Sequence, residues 1–182
     1  MLRDTPICDF GWQAPDFKLK DPNGVSFEMR EHLGDKGLLI AFICNHCPYV
    51  KTIATRFAKD TQALQEDGIN VLSLMSNDYR DYAADSPENM TRFARAHGFA
   101  FPYLVDEDQS VGKAYGAVCT PDFFGFNSEG ALQYRGRLDD VRMGHSEDGR
   151  TRELVNAMRM IANTGKGPRE QTPSMGCSIK WR

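Results

Sequence analysis

The chain has 182 residues, and its 22 basic and 25 acidic side chains leave a formal charge of −3 with the two signs interspersed; that length suits one domain whose core is stable without disulfide staples, and that charge pattern argues against a nucleic-acid binder or a membrane-surface protein. No apolar run approaches the roughly 18 residues of a spanning helix, and Met1-Leu-Arg-Asp-Thr-Pro6 lacks the basic-then-apolar order of a signal peptide. Five cysteines are an odd number and too sparse for a secreted disulfide framework, so the expectation is a cytoplasmic protein with small-molecule or protein partners, no nucleic acid and no membrane.

Residues 1–15 read as an irregular lead-in carrying Cys8 and Trp12. Ala14–Lys20 and Val25–Met29 flank Asp21-Pro-Asn-Gly24, and Pro-Asn-Gly is turn chemistry, so a β-hairpin is predicted. Gly34 and Gly37 bracket a charged loop. Leu38-Leu-Ile-Ala-Phe-Ile43 is a short apolar run rich in strand formers. From Pro48 onward Val50, Ile53, Ala54, Phe57, Ala58 and Leu64 keep helical spacing, so one face of that helix packs on a sheet. Gly68 ends it, Ile69–Met75 reads as a buried strand, and a polar loop runs from Ser76 to Asp85. Ser86 as N-cap with Pro87 at the first helical position starts a helix to about His97, which Gly98 stops. His97 is then a last-turn residue favourable to the helix dipole.

Phe101–Val105 is a short strand and Asp108–Tyr115 a short helix closed by Gly116. Ala117–Phe126 reads as an aromatic strand, with Pro121 at its start or at a special turn, a place that allows a cis Thr120–Pro121 bond. Asn127–Gly130 turns it into Leu132–Gly136. A last helix spans about Arg150–Ala162, with Leu154, Val155, Met158 and Ile161 on one face. Residues 165–182 are rich in Pro and Gly, show no helical or strand period, and read as an extended tail that packs over the domain or is mobile. Strands alternating with helices and then a hairpin make an α/β fold with a mixed sheet; one domain over 1–182 is expected, with 1–36 as an N-terminal hairpin extension.

The chemistry concentrates at the strand-to-helix turn Cys44-Asn-His-Cys47. Residues three apart in a helical turn have Cβ atoms about 5–6 Å apart, and a disulfide wants Cα atoms roughly 4.4–6.8 Å apart, so this pair closes and opens with little backbone movement. The unpaired N–H groups and positive dipole end of a helix favour a thiolate, the species that attacks disulfides and peroxides. His46 either lowers a thiol pKa further as an imidazolium or is a solvated loop residue. Cys119 either lies beside the reactive pair or is a buried strand thiol. Cys177 either resolves an oxidised cysteine or packs with Ile179 and Trp181. A zinc site completed by His46, Cys119 or Cys177 lacks the second Cys-x-x-Cys or His-x-His that would support it. The third class is a redox-inert binding module.

Ala14-Pro-Asp-Phe17 with Asp21 and Gly24, Cys44-Asn-His-Cys-Pro-Tyr-Val-Lys51, Thr120-Pro121 before an aromatic strand, and the terminal Gly176-Cys-Ser-Ile-Lys-Trp181 together resemble the thioredoxin-like superfamily, and more closely the peroxiredoxin-like branch of the alkyl hydroperoxide reductase/thiol-specific antioxidant (AhpC/TSA) family. The resemblance runs over nearly the whole chain. It implies a thioredoxin fold, Cys44 and Cys47 as catalytic cysteines, and Thr120 and Pro121 as a cis-proline segment that binds substrate. The peroxiredoxin pattern Pro-x-x-x-Thr-x-x-Cys-Pro would make Cys47 peroxidatic, but Ile40 stands at its proline, Cys44 at its threonine, and Thr120-Pro121 near its arginine. Those missing groups would donate to the peroxide oxygens. The expected function is therefore thiol–disulfide exchange, with thiol-dependent peroxide reduction as the alternative. No cofactor is required; the expected partners are a disulfide-bearing protein or a small thiol or peroxide substrate, and a thioredoxin- or glutathione-type electron donor. The dipole argument favours Cys47 as the attacking thiol and the thioredoxin analogy favours Cys44.

Overall fold

Leu38–Phe42 is buried along its whole length because it is the middle of a sheet covered on both faces. Its residues alternate: Leu39 and Ala41 join one apolar cluster, while Leu38, Ile40 and Phe42 join the other. In the computed structural model, which describes residues 1–182, the strands are β1 (Leu2–Asp4), β2 (Lys18–Lys20), β3 (Ser26–Glu28), β4 (Leu38–Phe42), β5 (Asn70–Met75), β6 (Tyr103–Val105), β7 (Cys119–Thr120), β8 (Asp122–Phe126), β9 (Leu132–Tyr134) and β10 (Met175–Ser178). The helices are α1 (Met29–His32), α2 (Pro48–Glu66), α3 (Pro87–His97), α4 (Ser110–Ala114) and α5 (Glu153–Thr164), with a 3₁₀ turn at Ala83–Asp85.

The main sheet runs β3-β2-β6-β5-β4-β8-β9, with β4, β5 and β6 parallel and the rest antiparallel. One face carries α2, α3 and α5 through Val50, Phe57, Leu64, Met90, Leu154 and Met158. The other is covered by Phe17, Met29, Val111 and Tyr115. Helix α5 comes so close to β8 that a Cβ on Gly125 would lie 2.6 Å from the Met158 sulfur. This is the mixed α/β thioredoxin fold that the resemblance implies. The predicted β2–β3 hairpin forms, and it also extends the sheet by pairing Lys20 with Val105. Ser86 caps α3 by accepting from the Asn89 N–H, and Gly98 ends it at φ 73°. No helix is long and apolar enough to cross a membrane.

Three stretches differ from the sequence expectation. The lead-in contains β1, the tail contains β10, and the strand predicted over Ala117–Phe126 is two strands in different sheets. Pro121 lies between those two, its peptide bond with Thr120 is cis, and without an N–H it cannot carry a ladder across the junction. The β7 piece pairs with β10, which pairs with β1, giving a small second sheet of order β1-β10-β7. The tail is therefore ordered by pairing rather than by any period of its own. Ser174 exchanges backbone and side-chain hydrogen bonds with Thr5 and donates its hydroxyl to the Pro121 carbonyl at 2.9 Å. Beyond the strand, Lys180 is fixed through its N–H to Asn77 and its carbonyl to the Asp78 N–H and Gln109.

Candidate active site

Cys47 is the N-cap of α2 and Pro48 occupies its first position, where the missing proline N–H is no loss. Cys44 lies one turn earlier at the end of the buried central strand. Both cysteines are free thiols, 1% and 0% exposed. Thr120, immediately before the cis-proline, meets both: its hydroxyl is 3.2 Å from the Cys44 sulfur, and its carbonyl oxygen is 3.2 Å from the Cys47 sulfur.

Proton sharing in this pair is uneven. A hydrogen bond from Cys44 is the largest cause that draws the Cys47 pKa down to about 4; burial opposes it, and the Val50 N–H together with the thiol and N–H of Cys177 add to the lowering. The same bond pushes Cys44 up, followed by burial and by the Asp85 carboxylate. Hence Cys47 is the thiolate and Cys44 holds the proton, in the direction that the helix N-terminus favours.

A buried carboxylate braces the turn. Asp85 accepts from the N–H groups of Asn45 and His46 at 2.7 and 3.3 Å, from His46 Nδ1 at 2.6 Å and from Asn77 Nδ2 at 2.8 Å. Asn45 also donates to the Ala84 carbonyl and accepts from the buried Tyr103 hydroxyl. His46 is thus turned toward Asp85, with Tyr82 stacked on it at 5.5 Å. Donor atoms of Cys44, His46 and Asp85 lie within 4.8 Å of one another, but the four donors already present satisfy Asp85 without a cation. Asp85→Ala would leave these buried donors unpaired at about 1–3 kcal/mol for the first and less for those that relax; the expected loss, roughly 2–4 kcal/mol, is read from the urea midpoint of the reduced protein. Neither Asp85 nor Tyr103 has a signal in the sequence, since one ends a polar loop and the other sits in an apolar strand.

The remaining predicted residues divide. Cys119 is buried near the Pro121 carbonyl, and burial, then the Asp122 charge, pushes its thiol up to about 12. Cys8 lies outside the site and burial raises it to about 11. Cys177, on β10, pairs with Thr120 in the β7 register and packs against the cluster containing Cys44 and Cys47. The two arginines of the neighbouring strand end are engaged elsewhere rather than free for a peroxide: Arg135 grips buried Asp122 at 2.8 Å and stacks on Phe124, and Arg137 pairs with Glu153 at 2.6 Å. A cavity of about 570 Å³ opens beside Pro121, walled by Tyr49, Ile53, Phe123, Leu138 and Met143.

The chain is 28% identical over 130 residues to the thiol-disulfide oxidoreductase ResA of Halalkalibacterium halodurans, covering 71% of this chain and 69% of that protein. It is 26% identical over 136 residues to the peroxiredoxin Bcp of Escherichia coli K12, covering 74% and 82%. The crystal structure of a hypothetical protein from Sinorhizobium meliloti 1021 superposes with a TM-score of 0.93 at 37% identity, covering 100% of this chain and 99% of that one. The profile of the AhpC/TSA family matches residues 10–135, from the lead-in through the Cys-x-x-Cys turn and the cis-proline to Arg135, and the chain accordingly belongs to the AhpC/TSA family.

Proposed function

We propose that this AhpC/TSA-family oxidoreductase exchanges thiols and disulfides, with Cys47 attacking and Cys44 resolving. The observation that carries the reading is the pair of free thiols Cys44 and Cys47 at the start of α2, both sulfurs 3.2 Å from Thr120 beside the cis-proline; the lowered Cys47 pKa and the raised Cys44 pKa give the order of attack. The Cys47 thiolate attacks one sulfur of a substrate disulfide; a new S–S bond forms as the old one breaks, and the departing thiolate takes up a proton. Cys47 is then no longer an anion. The largest cause of the raised Cys44 pKa disappears with it, so Cys44 loses its proton, attacks the Cys47 sulfur and releases the second substrate thiol. Two electrons pass to the substrate and the protein is left with a Cys44–Cys47 disulfide. A thioredoxin- or glutathione-type donor would restore the dithiol, and the reverse sequence would oxidise a substrate.

The backbone of Thr120 and Pro121 and the adjoining cavity offer a disulfide-bearing protein or a small thiol compound a place beside the sulfurs. The N-terminal hairpin joins the main sheet through β2, and the tail pairs through β10 with β1 and β7 in the small sheet, which supports action of 1–182 as one unit. The mixed charge and odd cysteine count support a cytoplasmic, redox-homeostatic setting.

Peroxide reduction is the second reading, favoured by the low Cys47 pKa and by the peroxiredoxin relative. It would turn Cys47 into a sulfenic acid that Cys44 resolves with loss of water. The groups that hydrogen-bond Cys47 include no arginine and no free hydroxyl donor, and losing preorganised donors costs roughly 10²–10³-fold per group. Stopped-flow oxidation of the reduced protein is therefore expected to be slow with hydrogen peroxide and fast with a model disulfide, ending in a mass-mapped Cys44–Cys47 bond. Fast peroxide consumption that vanishes in Cys47→Ser and survives Cys44→Ser would make the protein a peroxidase instead.

A further inference from the structure

Cys47, which the proposed reaction must expose to a partner, is fully buried, and the element that closes over it carries a thiol. Strand β10 lies between β1 and β7 with Cys177 opposite Thr120 and Ser178 opposite Cys119. Thr120 is also the residue that meets the Cys44 and Cys47 sulfurs, so one β-pair brings Cys177 to the reactive dithiol. Gly176 makes that approach feasible: a Cβ there would stand 2.0 Å from the Thr120 carbonyl oxygen and 3.0 Å from the Pro121 nitrogen. The strand is anchored on both sides, by Ser174 to Thr5 and Pro121 and by Lys180 to Asn77. Cys177 is partly exposed whereas Cys44 and Cys47 are not.

We propose that Cys177 is a third redox thiol, which forms a disulfide with Cys47 and thereby carries electrons between the buried Cys44/Cys47 pair and thiols in solution. The proposal rests on the dithiol reading and adds its route to the donor. Burial and then the Cys47 anion push the Cys177 thiol up to about 11 in the reduced protein; in the Cys44–Cys47 disulfide the second cause is gone, and Cys177 loses its proton and attacks the Cys47 sulfur. The Cys47–Cys177 bond forms, the Cys44–Cys47 bond breaks, and Cys44 leaves and takes up the proton that Cys177 lost; the oxidation state of the protein is unchanged. An external thiol then attacks the accessible Cys177 sulfur and expels Cys47, the better leaving group because its thiolate is stabilised where it sits. A second external thiol resolves the mixed disulfide on Cys177, so that two thiols become one disulfide and all three cysteines end reduced.

The test uses the full chain and two readouts. The reduced wild type and Cys44→Ser are oxidised with diamide, alkylated and digested with trypsin, which separates residues 37–51 from residues 170–180. Cys44→Ser is expected to yield a cross-link between those peptides, through Cys47 and Cys177. Oxidised wild type is then reduced with glutathione beside Cys177→Ser and Cys177→Ala, all checked for native circular dichroism. Loss of the accessible entry point is expected to slow both variants by roughly tenfold or more. A Cys44→Ser protein without the cross-link, in a preparation whose wild type forms Cys44–Cys47 normally, overturns the third-thiol proposal and leaves the dithiol reading intact. Unchanged reduction rates in the Cys177 variants overturn it as well. A wild type that forms no Cys44–Cys47 bond and exchanges with no model disulfide removes the dithiol reading itself.

Discussion

Cys47→Ser is expected to lower disulfide exchange by roughly three orders of magnitude or more, to the background of the assay, because a serine hydroxyl neither ionises near neutral pH nor forms a disulfide. Cys44→Ser should behave differently. It keeps the attacking sulfur, so the first half-reaction proceeds; with Cys177 also replaced, in Cys44→Ser/Cys177→Ser, no thiol remains to resolve it and the protein accumulates as a mixed disulfide on Cys47, visible as a substrate-sized mass adduct.

The pH profile separates this assignment from its converse. The Cys47 pKa falls to about 4, so the thiolate fraction, and with it the rate of alkylation by iodoacetamide, should be nearly flat from about pH 5.5 to 8 and fall by half near pH 4. An ordinary thiol with a pKa near 8.5 would be only a few per cent ionised at pH 7. In Cys44→Ser the donor that contributes most to the lowering is weakened, and the inflection should move upward by one unit or more. An inflection near 8.5 in the wild type, or one that appears in Cys47→Ser and not in Cys44→Ser, would transfer the attacking role to Cys44. The folded-state value lies below the ordinary thiol range, so the matching stability of the reduced protein is fully present above about pH 9 and is lost as the pH falls toward 4. Cys44, raised for the same reason, changes stability in the opposite sense above pH 9.

Much of this site could be read from residue order because its signals are local. A six-residue apolar run, a Cys-x-x-Cys and a Pro at the first helical position lie within a dozen residues, and they form a buried strand, a turn and a capped helix as local preferences dictate. Ser86 and Gly98 delimit α3 for the same reason. What could not be read depends on pairing across the chain. Leu2-Arg-Asp and Met175-Gly-Cys-Ser have no alternation; the first is a strand only because the second is beside it, and the second because it lies between the first and Cys119-Thr120. From the sequence, Cys177 therefore lies on a tail that either packs or is mobile, whereas β10 sets it against Cys47. Asp85 was invisible for a related reason, since its four donors come from residues 45, 46 and 77, and nothing in a polar loop marks one carboxylate as buried.

Arg135→Ala is expected to destabilise the fold by about 3–5 kcal/mol, the usual cost of leaving one partner of a buried ion pair behind. Arg135 and Asp122 are 9% and 0% exposed, and the guanidinium also donates to the Gly116 carbonyl and lies 4.3 Å over the Phe124 ring. Burial raises the Asp122 pKa and Arg135 opposes that rise, so in the variant the carboxyl should go higher still. A carboxyl raised above its unfolded value costs stability once the pH exceeds that unfolded value. The deficit of Arg135→Ala should therefore be greatest at neutral pH and shrink as the pH falls toward 4 and Asp122 takes up a proton. Urea midpoints at several pH values measure this, and a deficit independent of pH would mean that lost packing on Phe124 dominates. Arg135→Lys keeps the charge and loses the planar fork, so it should fall between the two. Exchanging both members for apolar residues of similar volume, Asp122→Leu with Arg135→Met, should recover most of the loss. The same variants decide whether this arginine serves a peroxide. Held by Asp122 it contributes to the strand that follows Pro121, and the peroxide rate per folded molecule should be unchanged in Arg135→Lys; a fall of roughly 10²-fold there would identify a donor to the developing oxyanion and bring the peroxidase reading forward.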